Sequence, residues 1–201
     1  NLLSTYGQSA KTFTMFAQRN WNILTDWDSY LGALAERGEQ EGQWQEDIAQ
    51  KATWLYTDFY LFNEQCEFWT TAGRQGTAEH MRATFEELYT ANAPVITSYT
   101  SSQGIRKIMF AMPMEQPLQL GDTTYTALAV SYDNAVLEKL LGSMVYEGQS
   151  DCYIVRSNGD IVLSTETKTE ITEQMTNLFD YLQQNARVDQ PYYDTMVQTL
   201  P

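Results

Sequence analysis

Leu3, Tyr6, Ala10, Phe13, Ala17, Asn20, Leu24, Trp27, Leu31 and Leu34 recur at spacings that alternate three and four. That is an a/d seam kept for roughly four heptads, and it commits the start of the chain to one long α-helix. Phe16, Ile23 and Tyr30 widen the apolar face, no proline interrupts it, and Gly38 follows Arg37 as a stop. At ~1.5 Å per residue such a helix reaches on the order of 50 Å. The small and polar members Ala10, Ala17 and Asn20 suit a partner helix, as in a homodimer. The width of the stripe suits burial on the chain's own body equally well.

The helix differs in charge from the rest of the chain. Lys11, Arg19 and Arg37 balance Asp26, Asp28 and Glu36, so residues beyond 38 carry the whole net charge of −14. A surface this acidic repels phosphates and anionic lipid heads, which argues against nucleic-acid partners. With 201 residues, 43% of them hydrophobic, the chain can bury a proper core. It lacks a starting Met and contains no run of about eighteen apolar residues, so it reads as an excised piece of a longer protein without its own membrane span. Cys66 and Cys152 fit either one bridge in an oxidising compartment or two half-buried thiols on strands.

Beyond residue 38 the period changes repeatedly. A Gly/Gln-rich turn precedes a shorter helix over about 44–55. Asp58–Phe62 and Cys66–Thr71, separated by Asn63–Gln65, read as a hairpin closed by Gly73 and Gly76. Thr77 is expected to cap a helix to about Tyr89, which Pro94 blocks from continuing. Strands are expected over Ile105–Met114, ended by Pro113 and Pro117, and over Thr123–Tyr132 after a Gly121–Asp122 turn. A short helix runs to Leu141. Cys152–Arg156 and Asp160–Ser164 flank Asn158–Gly159, a strong hairpin signal. A last helix is expected over about Glu170–Gln184. The order gives an α+β fold, an antiparallel sheet with helices against it.

Chemistry is sparse. His80 is the one histidine, too little for a metal site or for Ser-His or Cys-His catalysis. Gly73 and Gly76 lack the Lys-Ser/Thr of a phosphate loop. Carboxylate pairs such as Glu86–Glu87 lie on solvated helix faces. No catalytic residue, metal or cofactor is assigned, and the chain is read as a non-enzyme.

Three segments, in order, resemble the Cache family of PAS-like sensor domains. Tyr153–Ser164, with its Ser-Asn-Gly turn, is similar to the family's closing hairpin. Ile108-Met-Phe-Ala-Met-Pro113 is similar to its central strand, and Tyr125–Asp133 with Leu137 and Leu140–Leu141 to the next strand and short helix. Asn177–Leu182 resembles the segment after the hairpin, and the long first helix fits as well. The match covers most of residues 1–185.

The resemblance implies a long N-terminal helix (1–38), a PAS-like sensor domain (39–185) and a tail or the start of a membrane-proximal segment (186–201). It implies an extracytoplasmic ligand sensor on a transmembrane signalling protein of the diguanylate cyclase, phosphodiesterase or histidine kinase type. On that mapping the ligand-binding candidates are Trp69, Arg82, Tyr99, Arg106, Phe110 and Tyr125, covered by Ser98–Ser102 and Met114–Thr123 as loops. Cations among aromatics suit a small carboxylate. The family's amino-acid-binding branch carries Arg-x-Trp-Tyr, matched here only by Arg82-Ala-Thr-Phe85, and a strand Asp where this chain has about Ala129. An amino-acid ligand is therefore not expected. A secreted or surface-anchored binding or adhesion protein without signalling output is the alternative; it would be monomeric, with the Leu3–Leu34 seam on its own body.

Overall fold

A computed structural model describes residues 2–37, 46, 58–71, 74–142, 153–156, 158–164 and 177–185. The chain divides into two compact units, Ala10–Asn134 and Asn1–Ser9 with Ala135–Pro201. The expected helix over 44–55, apart from Glu46, and the tail from 186 lie outside the described residues.

In the Ala10–Asn134 unit, α1 (Leu2–Arg37) supplies its residues from Ala10 onward. The seam from Ala17 to Leu34 is buried: Ala17, Asn20, Leu24, Trp27, Leu31 and Leu34 are all nearly or wholly inaccessible. It packs on the chain's own sheet. Phe16 and Trp21 stand edge-on to Phe110, and Trp27 meets Phe59 with ring centroids 5.1 Å apart. The Asp28 carboxylate accepts the Glu115 backbone N–H at 3.1 Å.

Six strands form the sheet: β1 (Asp58–Phe62), β2 (Glu67–Thr70), β3 (Gln75–Thr77), β4 (Val95–Thr100), β5 (Arg106–Leu120) and β6 (Thr123–Asp133). Their order is β3-β2-β1-β6-β5-β4, antiparallel throughout, with the first and last strands side by side at the centre. Both faces are covered at the middle, so Lys107–Ala111 and Ala127–Tyr132 are buried without interruption. The face opposite α1 carries α2 (Arg82–Ala91), which follows a 3-10 turn at Glu79–Met81 and ends at Asn92 in the left-handed region. Met81, Phe85 and Leu88 join Tyr60, Phe62, Val95, Met109, Ala111, Ala127 and Ala129 in one apolar cluster.

Several expectations need correction. Thr77 ends β3 and does not cap a helix. Val95–Thr100, expected in part as a covering loop, is an edge strand paired with β5 from Val95↔Ala111 to Thr100↔Arg106. Pro94 stands just before it, where no ladder N–H is needed. Met114–Leu120 is likewise strand, because β5 continues past Pro113 and Pro117 through a bulge in which the register shifts between Pro113 and Leu118. Only the Gly121–Asp122 turn, with Gly121 at φ 56°, interrupts the hairpin with β6. Cys66 precedes β2 in a turn at φ 62° and is a buried free thiol; Cys152 lies outside the described residues.

In the other unit, α3 (Asn134–Gly142) begins at the end of β6. β7 (Tyr153–Val155) and β8 (Ile161–Ser164) pair antiparallel, joined through Gly159 at φ 89°. The Asn177 side chain accepts the N–H groups of Phe179 and Asp180 at the start of α4 (Leu178–Asn185) and donates to Asn158 O and Asp160 Oδ1. Of the last expected helix, only this final part is described.

Candidate ligand-binding site

Successive strand residues point to opposite faces, so register decides which side chains meet. Tyr60, Phe62, Met109, Ala111, Ala127 and Ala129 lie on the α2 face. The ladder pairs Asp58↔Ser131↔Met109↔Thr97 and Asp133↔Lys107↔Tyr99 continue that face. Its apolar part lies under α2; its other end is polar.

Two polar groups are built there. The first is a chain of hydroxyls. Tyr99 donates to Ser131 Oγ at 3.1 Å, which leaves the Tyr99 oxygen to accept from Tyr60 at 2.9 Å. Burial pushes both phenols above their ordinary range; at Tyr60 the neighbouring Tyr99 adds to this, and at Tyr99 the bonds to Ser131 and Tyr60 oppose it. Both therefore stay protonated at neutral pH as hydrogen-bonding groups.

The second is an ion cluster. Lys107 Nζ donates to Asp58 Oδ2 at 2.5 Å and faces Asp133 Oδ1 at 3.3 Å. Lys107 and Asp58 side chains are only 10% and 12% exposed. Arg74, largely exposed, reaches the other Asp58 oxygen at 3.2 Å. Burial pulls the Lys107 ammonium down, but the bond and charge of Asp58, followed by Asp133, outweigh it and hold the group above its usual value.

Of the residues singled out in the sequence, Tyr99 lies within the hydroxyl chain. Tyr125 is buried on β6 two residues before Ala127, on the same face by alternation, its hydroxyl bonded to Thr123. Trp69 alternates with Phe68 and sits opposite Leu61, on the α1 face. Phe110 packs on Phe16 and Trp21 of that face. Arg82 is exposed and bound through two nitrogens to Glu79. Arg106 opens β5 opposite Thr100, and alternation places it on the side opposite its neighbour Lys107. The structure thus brings Tyr99 together with Tyr60, Ser131, Lys107, Asp58 and Asp133, none of which stood out in the sequence. A lysine inside the apolar run of β5 was the available signal, since a buried ammonium needs a carboxylate.

Among the described residues no group of His, Cys, Asp and Glu is arranged to hold a metal ion, and no helix is long and apolar enough to cross a membrane. A long helix on one face of an antiparallel sheet, with α2 on the other, is the fold of Cache-type sensor domains.

Solved structures make the comparison specific. The chain is similar to the ligand-binding domain of the Pseudomonas aeruginosa amino-acid chemoreceptor PctC in complex with GABA, with a TM-score of 0.61 and 14% identity over 90% of this chain and 80% of that one. It is similar to the corresponding domain of PctB with L-Gln, at TM-score 0.56 and 14% identity over 88% and 73%. No family model matches the sequence, and no curated protein does. At these identities the likeness establishes the fold.

Proposed function

We propose that the chain is the extracytoplasmic ligand-sensing domain of a membrane-bound signalling protein, and that its ligand contacts the α2 face of the sheet. The observation that carries this reading is the concentration of buried polar groups there: the Tyr60–Tyr99–Ser131 hydroxyls beside the Lys107 ion cluster, on a fold whose solved neighbours are ligand-binding domains with GABA and L-Gln. Ordinary core packing gives no reason to hold so many polar side chains on one face. The contacts are Tyr60, Tyr99, Ser131 and Lys107, with Tyr125 further along β6. Of the two arginines expected to hold a carboxylate, Arg106 alternates onto the other face, and Arg82 is exposed and paired with Glu79.

The signal passes through α1, whose Asp28 and Asn20 bind the sheet directly. A ligand that favours one position of sheet against helix biases that equilibrium by its differential affinity. Catalysis, of the diguanylate cyclase, phosphodiesterase or histidine kinase type, belongs to another part of the protein. One observation favours the second reading, a binding protein without output: the seam from Ala17 to Leu34 is satisfied within the chain.

A thermal-shift screen of this fragment against small polar metabolites tests the site. A ligand at ~100 times its Kd adds about 2.7 kcal/mol. Tyr99→Phe is expected to abolish the shift. A hit unaffected by Tyr99→Phe and by Lys107→Met would remove this face as the site. A monomer in solution would favour the second reading, and a dimer through α1 the first.

A further inference from the structure

The α2 face carries its own ammonium. We infer that Lys107 sets the ligand class: it permanently occupies the Asp58–Asp133 carboxylate pair, so the site rejects ligands held through an ammonium group and takes an uncharged, hydroxyl- or amide-bearing molecule. This rests on reading the α2 face as the ligand site.

The geometry is that of a bound amine. Nζ lies 2.5 Å from one Asp58 oxygen, which accepts its hydrogen bond, and 3.3 Å from Asp133 Oδ1, which is ion-paired with it but accepts no hydrogen bond; register fixes the arrangement. Lys107 stands opposite Asp133 on β6, and Asp58 opposite Ser131 on the same strand. An incoming ammonium would meet one carboxylate already hydrogen-bonded to an ammonium and a second already ion-paired with it, in a place where desolvating a second cation is costly.

Anions fare no better. The positive charge of Lys107 is committed to two carboxylates, and that of Arg74 to Asp58. The four charges cancel, so neither sign of ligand gains a free counter-charge from them. What remains beside the cluster is neutral: the hydroxyls of Tyr60, Tyr99 and Ser131, with Thr97 next along β4. Tyr99 donates to Ser131, so the serine proton is not used by that bond. Such groups recognise neutral donors and acceptors by direct hydrogen bonds.

Removing the internal ammonium while keeping its stem exposes the cage. In Lys107→Met, Asp133 loses the ammonium facing it and Asp58 keeps only the exposed Arg74. The variant is expected to bind GABA, L-glutamine and putrescine at least ~10-fold more tightly than the parent, in line with the coupling of close charge pairs. Calorimetry and thermal shift with these three amines, and with a neutral panel of polyols, monosaccharides and primary amides, read the outcome. The expected result is that the parent responds only to the neutral panel and the variant gains the amines. A folded variant that gains none, while the parent binds a neutral compound, overturns the role of Lys107 and leaves the site standing. Binding of no compound to either protein overturns the site and the inference together. Should Lys107→Met not fold, competition on the parent decides: an amine that displaces the bound neutral compound overturns the inference, and one that fails to do so at millimolar concentration upholds it.

Discussion

Tyr132, near the end of β6, donates its phenolic hydrogen to Asn20 Oδ1 on α1 at 2.7 Å, in fully buried surroundings. Asn20 in turn donates to the Phe16 carbonyl one turn back at 2.9 Å. The polar member of the heptad seam is thereby satisfied by the chain's own sheet, and the bond fixes where along the helix the sheet attaches.

Replacing Tyr132 with Phe keeps the ring against Phe16 but leaves the Asn20 carbonyl without its donor. A buried orphan acceptor costs about 1–3 kcal/mol. The melting midpoint is expected to fall by several degrees, and the double variant Asn20→Leu/Tyr132→Phe to recover part of the loss. Denaturant titration of the four proteins in the cycle measures the coupling; additive losses would show that the bond carries no weight.

Asp28 makes stability depend on acid. Burial raises its pKa above 3.8; the Glu115 backbone N–H opposes the rise and the Glu115 charge adds to it. A folded-state value above the unfolded one means the stabilising contribution is full below 3.8 and lost as pH climbs through the raised value. Asp28→Asn removes the buried charge and keeps an oxygen for Glu115 N–H. It is expected to stabilise the protein at pH 7 by about 1 kcal/mol, with the advantage shrinking toward pH 4. Urea midpoints at the two pH values read this; an advantage that grows on acidification would reverse the assignment.

Gly159 holds the second unit's hairpin to α4. At φ 89° a Cβ there would come within 2.6 Å of both Asn177 Oδ1 and the Phe179 ring. Gly159→Ala is expected to displace the Asn177 cap and cost at least about 2 kcal/mol locally. Faster hydrogen exchange across Ile161–Leu163 and at Phe179 and Asp180 N–H would report it; unchanged protection would show that the turn absorbs the methyl.

The helix and hairpins were legible because their signals are local. Seam spacing needs only the helix period, and Asn158–Gly159 advertises a backbone that glycine alone adopts freely. The polar cluster on the α2 face was not legible, for a reason of parity. Adjacent strand residues face opposite ways, so preferring Arg106 over Lys107 selected the other face of the sheet. Alternation would normally settle this, but Ile108–Ala111 are all buried because both faces are covered. The same loss of alternation hid which of Phe68 and Trp69 turns toward α2. β4 escaped notice because its Thr and Ser residues become strand through pairing with β5, a non-local partner. Pro113 and Pro117 read as stops because a bulge that tolerates them has no marker of its own.

The central pairing of β1 with β6 also sets a schedule. Asp58 meets Ser131 roughly seventy residues later in the chain, whereas β5 and β6 meet across a two-residue turn. Closing the longer loop costs more entropy and waits on more chain. The β5–β6 hairpin is therefore the natural nucleus, with β1 as a late arrival. During synthesis the first strand of the sheet emerges early and stays without its central neighbour until the last one has appeared.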